Sequence, residues 1–296
     1  MADVSVGVIV YNEAKNIAKL LRAVQKSKLN NVTVKEIIVV SSACTDGTDD
    51  IVEDFAKSDD RIILIKEPER RGKSAAINLF LAKASSEYCI IESGDTIPAP
   101  DTIEKMVTAL TENNTGMSGG RPVPENYTCT FIGFAVQLLW RLHHKMALIS
   151  PKLGEMIAFR NIVKEIPEES AVDEASIESE ITKAGLRKKY IPDAIIHNKG
   201  PETLSDFISQ RRRIAAGHLW LKEQYNYKVS SQNSSILFRI MIDEILQRPL
   251  TLPYILLTAG LEIYSRFLGR YDYCVKKKNP FKWDIAETTK NLRRKD

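Results

Sequence analysis

Val4-Ser5-Val6-Gly7-Val8-Ile9-Val10, running straight into Tyr11-Asn12-Glu13, is the stretch on which the reading of the fold turns. Its apolar residues are β-branched and nearly continuous, the mark of a strand covered on both faces. Residues 12–25 then change period, with Ile17, Leu20, Leu21 and Val24 at helical spacing. The same exchange repeats downstream. Apolar strands at 37–40, 62–65 and 88–91 are each followed by a polar turn and a helix, near 49–56, 74–84 and 101–110. Strands alternating with helices predict an α/β layer with a mainly parallel sheet. In such sheets ligands sit at the carboxyl ends of the strands. The segments to read for chemistry are therefore 11–13, 41–48, 67–73 and 93–98.

After Gly120 the pattern changes. Residues 126–140 and 249–261 are uncharged, but both runs are shorter than the roughly 20 residues that span a bilayer. Residues 201–225 read as a long basic helix. The chain divides near residue 200, into an α/β part over 1–200 and a helical part over 201–296. Of the 296 residues, 44% are hydrophobic and 27% charged, which excludes wholesale disorder and a bundle of membrane spans. The net charge of +4 is unevenly placed: residues 266–296 hold ten Lys/Arg against four Asp/Glu, so the rest is slightly acidic. That basic end would be drawn to an anionic surface, lipid or nucleic acid. The four cysteines, Cys44, Cys89, Cys129 and Cys274, are too far apart for a zinc ribbon or a disulfide framework. With a strand rather than a basic-headed signal peptide at the start, the expectation is a cytoplasmic protein.

Two nucleotide motifs fail. The dinucleotide fingerprint needs glycines where Tyr11-Asn12-Glu13 stands, and Gly72-Lys73-Ser74 lacks the earlier glycine of a P-loop, because that place holds Glu67. A distributed set remains. Ser93-Gly94-Asp95 follows a strand. Asp95 either opens a turn or holds a hard divalent cation, Mg²⁺ or Mn²⁺, against a diphosphate. Asp173-Glu174 begins a predicted helix, where acidic residues cap the dipole or one serves as a general base. Gln210-Arg211-Arg212-Arg213 lies on a helix whose residues turn by about 100° each, so its arginines fan around it. They form a solvated face or fork onto phosphate. His143 and His144, adjacent on a helix, point apart and cannot share a ligand.

In their order these pieces resemble the family-2 glycosyltransferases with the GT-A fold. Val8 to Glu13 looks like the family's opening strand and "YNE" turn. Cys44-Thr45-Asp46-Gly47-Thr48 is similar to its "S-T-D-G-T" loop, and Arg71 to Asn78 to its "G-K-x-x-A-x-N" segment. Ser93-Gly94-Asp95 occupies the place of the metal-binding D-x-D, and Asp173-Glu174 that of the "E-D" base. Gln210 to Ile214 resembles the "Q-x-x-R-W" element of membrane-associated archaeal and bacterial members. The tail segments 281–283 and 288–290 look like archaeal lipid-pathway relatives. The chain departs from the pattern at Ser41-Ser42, where aspartates often stand, at Ser93 and at Ile214.

The resemblance implies a GT-A, Rossmann-like mixed sheet flanked by helices, with a C-terminal helical subdomain able to associate with a membrane. It implies inverting, metal-dependent transfer from a nucleoside-diphosphate sugar, a UDP-sugar first, to a hydroxyl acceptor that is lipid-linked or a glycan. Tyr11, Asn12, Glu13, Ser41, Asp46, Lys73 and Asp95 would bind the donor, with Asp95 on the Mg²⁺ or Mn²⁺. Gln210, Arg211 and Arg213 would meet the diphosphate or the acceptor. Asp173 or Glu174 would be the base; the count back from Gly185 falls on Glu174. The two apolar runs and the basic tail point either to a peripheral seat on the inner face of the cell membrane or, for the apolar runs, to ordinary burial against the catalytic domain. Two other readings are a catalytically silent sugar-nucleotide scaffold and a nucleic-acid binder. The second is disfavoured because it leaves the strand-end motifs unexplained.

Overall fold

The computed structural model describes residues 1–170, 172–225 and 234–277, together with Thr289 and Leu292. The rest of the basic tail, including segments 281–283 and 288, 290, lies outside the described residues. The opening stretch forms β1 (Ala2–Val10), with Val4, Val6, Val8 and Val10 all buried. β2 (Val32–Ser42), β3 (Ile62–Glu67) and β4 (Tyr88–Ser93) complete a parallel set in the spatial order β3-β2-β1-β4. Beyond β4 the sheet becomes mixed. β7 (Ile157–Arg160) runs antiparallel to β4, followed by β6 (Thr115–Pro124), β8 (Arg187–Asn198) and the short β5 (Thr96–Pro98).

Helices cover both faces. α1 (Ile17–Gln25), α2 (Thr48–Ala56) and α4 (Thr102–Leu110) pack on one, through Ile17, Leu20, Leu21, Val52, Ile103 and Met106. Each such side chain contributes roughly 1.5–3 kcal/mol by leaving water. α3 (Lys73–Lys83) and α6 (Asp173–Lys183) pack on the other, through Ile77, Phe80, Ile177 and Ile181. α3 lies so close to β1 that a Cβ on Gly7 would stand 2.6 Å from the Phe80 ring.

The first helix begins later than the periodicity predicts. Residues 12–16 form an irregular turn, opened by Asn12 at φ 55°. The cause is tertiary: the turn is bonded to the loop after β2. Asn12 Oδ1 accepts from the Thr45 N–H at 2.8 Å, Thr48 Oγ1 from the Glu13 N–H at 2.9 Å, and Asp46 Oδ2 from the Ala14 N–H at 3.0 Å.

The first uncharged run becomes the start of α5 (Phe131–Ile149), capped by the Thr130 hydroxyl. The second runs into α9 (Leu252–Cys274), and between them lie α7 (Leu204–Tyr225) and α8 (Ser234–Gln247). Among the described residues no helix is long and apolar enough to cross a membrane. α5 packs on α8 and α9 through Leu138, Leu142, Ile240 and Ile255. Glu244 of α8, almost wholly buried, accepts from Arg141 and Lys145 of α5, each at 2.8 Å. α7 and α9 touch closely at Gly269, where a Cβ would meet the Arg212 carbonyl oxygen at 2.3 Å.

Candidate active site

Sheet register gathers the site. Val10 stands beside Ser41, and Ile9 beside Ser93, so the turns after β1, β2 and β4 share one edge. β7 enters in the opposite sense, with Ile157 beside Ile91, which brings the preceding Glu155 to that edge. Asn198, at the end of β8, pairs with Thr96 just after Asp95. On the α3 side, Lys73 opens one helix and Asp173-Glu174 the other.

Lys73 joins the two carboxylates, its Nζ 2.8 Å from Asp173 and 3.4 Å from Glu174. Burial pulls the ammonium's pKa down, but Asp173 and Glu174 outweigh it and hold the pKa above its ordinary value. Asp173 is nearly closed off, with 9% of its side chain exposed, whereas Glu174 keeps 25%. Burial, then the Asp173 charge, pushes the Glu174 carboxyl upward against the pull of Lys73. Glu155 sits in the left-handed region at φ 64°. Burial and the carboxylates of Asp95 and Glu174 push its pKa up to about 7.

The three arginines divide. Arg213 faces this edge: burial lowers its guanidinium to about 10, while Asp95, Asp173, Glu174 and Glu155 act in the opposite sense. Arg211 forks onto Glu262 of α9 with two bonds of 2.6 Å, and Arg212 binds Asp272. Gln210 is partly buried, and its side chain makes no hydrogen bond to a described residue. Arg213 therefore joins the cleft, and Arg211 and Arg212 tie α7 to α9.

The expected donor residues also separate. Tyr11 carries the Arg70 guanidinium 4.0 Å over its ring. Asp46 spends both oxygens within the turn, accepting from Ala14 and from the Thr48 N–H and hydroxyl. Burial acts to raise its carboxyl, and those bonds outweigh it and hold it low. Glu13 is buried and accepts from Asn16 Nδ2 at 3.0 Å. Its side chain also closes the space over Gly94, where a Cβ would approach it to 2.8 Å. Ser41 is fully buried inside β2 and does not reach the cleft surface. Asn12, as described, holds the Thr45 loop.

Two carboxyl groups beside Asp95 escape a reading of the sequence. Glu155 is one. The other is Glu92, fully buried at the end of β4, which accepts from Thr96 Oγ1 at 3.0 Å and is pushed well above the usual range by burial. Its signal is a lone charge directly after the apolar run 88–91, before the strand has ended.

Among the described residues no three His, Cys, Asp or Glu side chains cluster closely enough to hold a metal by themselves. Asp95 offers a hard carboxylate oxygen on an edge where Asp95, Glu155, Asp173 and Glu174 lie with Lys73 and Arg213. That set fits a Mg²⁺ or Mn²⁺ ion bound through one carboxylate and completed by phosphate oxygens and water.

Residues 5–161, more than half of the chain, match the family described as Glycosyl transferase family 2. Glycosyltransferase AglE of Haloferax volcanii is 32% identical over 117 residues, which are 40% of this chain and 38% of that one. Glycosyltransferase GlyG of Streptococcus pneumoniae is 27% identical over 111 residues, 38% of this chain and 36% of that one. The chain thus spans under two fifths of the length of these relatives. The solved structure of mannosyltransferase PcManGT from Pyrobaculum calidifontis, in complex with GDP-Man and Mn²⁺, superposes with a TM-score of 0.68 at 21% identity. That match covers 93% of this chain and 88% of the other, and it shows the mixed, helix-flanked sheet expected above.

Proposed function

Because this chain belongs to glycosyl transferase family 2, we propose that it transfers a sugar, with inversion, from a nucleoside-diphosphate donor to an acceptor hydroxyl. The observation that carries this reading is the convergence of Lys73, Asp173, Glu174, Glu155 and Arg213 on the strand-end edge that holds Asp95. Glu174 takes the proton. Its carboxyl is raised above its ordinary value by burial and the Asp173 charge, and it is the more accessible of the pair, both of which suit a general base. Asp173, held 2.8 Å from Lys73, fixes that lysine and keeps Glu174 from turning away. As the acceptor oxygen attacks the anomeric carbon from the Glu174 side, the diphosphate leaves toward Asp95 and Arg213, and one displacement inverts the centre. Arg213 meets the charge growing on the departing phosphate. A Mg²⁺ or Mn²⁺ ion at Asp95 supplies further neutralisation of that charge when bound.

The acceptor is read as lipid-linked, taken at the cytoplasmic face of a membrane. Leu246 and Leu250, at 74% and 94% exposed, and Leu256, Leu257, Ile263 and Phe267, at 61–69%, form an apolar exterior on α8, α9 and the turn between them. Arg266 of α9, with Arg248 just after α8 and Lys276 just after α9, adds basic groups to the same stretch. Exposed apolar area of this extent, mixed with basic residues, suits seating in an anionic headgroup layer.

A thermal-shift screen of UDP-, GDP- and dTDP-sugars with and without Mn²⁺ tests the donor half, since a ligand of the folded state raises its stability. One donor should raise the melting temperature, more so with Mn²⁺, and Asp95→Asn should remove the Mn²⁺ increment while leaving the unliganded melting temperature unchanged. A shift from no donor, or an unchanged increment in the variant, defeats the assignment.

A further inference from the structure

Beside the cleft lies a second charged cluster with the opposite imbalance. Glu262 of α9 receives both Arg211, at 2.6 Å, and Arg266, at 2.8 Å. Lys152, on the loop between α5 and β7, adds a third cation and has no hydrogen bond or ion pair among the described residues. Its pKa falls to about 8, from burial and then from Arg211 and Arg266. His218, two turns after Arg211 on α7, is held neutral: burial and then Lys152 and Arg211 bring it down to about 3. The remaining acid that acts on Lys152 is Glu178, already bound to Lys188. Three cations thus share one available carboxylate in a partly buried place, and such an excess calls for an anion.

The same two helices carry a groove of 520 Å³, lined by Phe131, Leu204, Leu256, Leu257, Leu261 and Tyr264. Its lining is almost wholly apolar. Leu204 and Arg211 are seven residues apart on α7, two turns along one face and about 10 Å in rise. On α9, Leu261 adjoins Glu262. Arg213, two residues beyond Arg211, already faces the cleft. Apolar groove and cations thus share one face of α7, and Arg213 carries the same helix to the cleft on its other side.

We propose that Lys152, with Arg211, Arg266 and His218, forms a subsite for a phosphate group of the acceptor, and that the groove holds the aliphatic chain attached to that phosphate. Arginine and lysine together suit a phosphate better than an uncharged headgroup, and the groove's continuity with them selects an amphiphile over a free ion. The inference rests on the transferase reading only in assigning this ligand to the acceptor.

Calorimetric titration of the full chain with decyl phosphate, inorganic phosphate and decanol, below the micellar range, tests it. Decyl phosphate should bind at least tenfold more tightly than either other probe. Lys152→Gln should weaken decyl phosphate about tenfold and leave decanol unchanged. Gly260→Leu fills the groove at a position where an added Cβ meets nothing within 4 Å, and it favours the helix. That variant should abolish the advantage of decyl phosphate over inorganic phosphate, whose own binding stays as in the wild type. Equal binding of the three probes, or no effect of either substitution, overturns the proposal. So does a Lys152→Gln variant that loses UDP or GDP binding as severely as decyl phosphate, because the cations would then serve the donor. Donor binding without decyl phosphate binding defeats this inference alone; the expected alkyl-phosphate pattern without transfer from any donor defeats the transferase reading alone.

Discussion

The strand-end edge and the α7–α9 contact use the same kinds of side chain, drawn partly from adjacent residues, and balance them in opposite ways. At the edge, Asp95, Glu155, Asp173 and Glu174 outnumber Lys73 and Arg213. Between the helices each acid is saturated: Glu262 takes two arginines, and Asp272 takes Arg212 with Lys276 nearby at 4.0 Å. A carboxylate fully engaged by arginine forks is a tether, whereas one raised by its neighbours can exchange a proton. Arg212 and Arg213 fall on the two sides of that division because successive helical residues point about 100° apart.

The largest effect expected concerns Glu174. Glu174→Gln keeps shape and removes basicity, so turnover should fall by roughly 10²-fold or more with donor affinity near wild type. Asp173→Asn should loosen Lys73 and cost less in turnover. Steady-state kinetics of the two variants decide the matter, and the reverse ranking would move the base to Asp173.

Arg212 and Arg213 sharpen the comparison at a smaller scale. Arg213→Gln should weaken donor binding several-fold, read as a diminished thermal shift, with little change in the unliganded melting temperature. Arg212→Gln leaves Asp272 without its fork and should lower stability by about 2 kcal/mol, with donor affinity unchanged. Two variants with the same profile would mean that the arginines do not divide as described.

Much of the parallel half of the sheet is legible in the sequence, because a strand buried on both faces is apolar along nearly its whole length, as Val4, Val6, Val8, Ile9 and Val10 are. β6 is not legible: Gly116, Gly119, Gly120, Pro122 and Pro124 are poor strand formers, and the strand exists through its partners β7 and β8. The late start of α1 is hidden for a related reason, since hydrogen bonds from a loop over thirty residues away decide it. At the site, Lys73, Asp95 and Asp173-Glu174 announce themselves by standing at strand and helix ends. Glu155 and Lys152 do not. They lie on an aperiodic loop, and only the antiparallel entry of β7 carries that loop to the cleft.

The smallest effect is one of pH, and there the two regions should move in opposite directions. Glu155 has a folded pKa of about 7, above its ordinary 4.5. A raised group contributes stability that is complete below its unfolded pKa and is lost as pH rises through the folded one, so acidification from pH 7.5 to 5 stabilises the cleft. His143 and His218 have folded pKa values of about 3, both through burial first, against an ordinary 6.5. The unfolded chain binds those protons more readily, so stability falls as pH drops below about 6.5. Glu92 and Glu174, also raised by burial, act in the same sense as Glu155, so the slope of the wild type in metal-free buffer is the sum of opposed contributions and each variant is read against it. His143→Leu should lose less stability than the wild type from pH 7.5 to 5, since it removes a proton acceptor of the unfolded state. Glu155→Gln should lose more, since it removes one of the opposing gains. Scanning calorimetry at four or five pH values separates the curves. If both variants run parallel to the wild type, neither group titrates between the folded and unfolded states as its surroundings require, and the contrast between an acid-stabilised cleft and an acid-labile helical layer is lost.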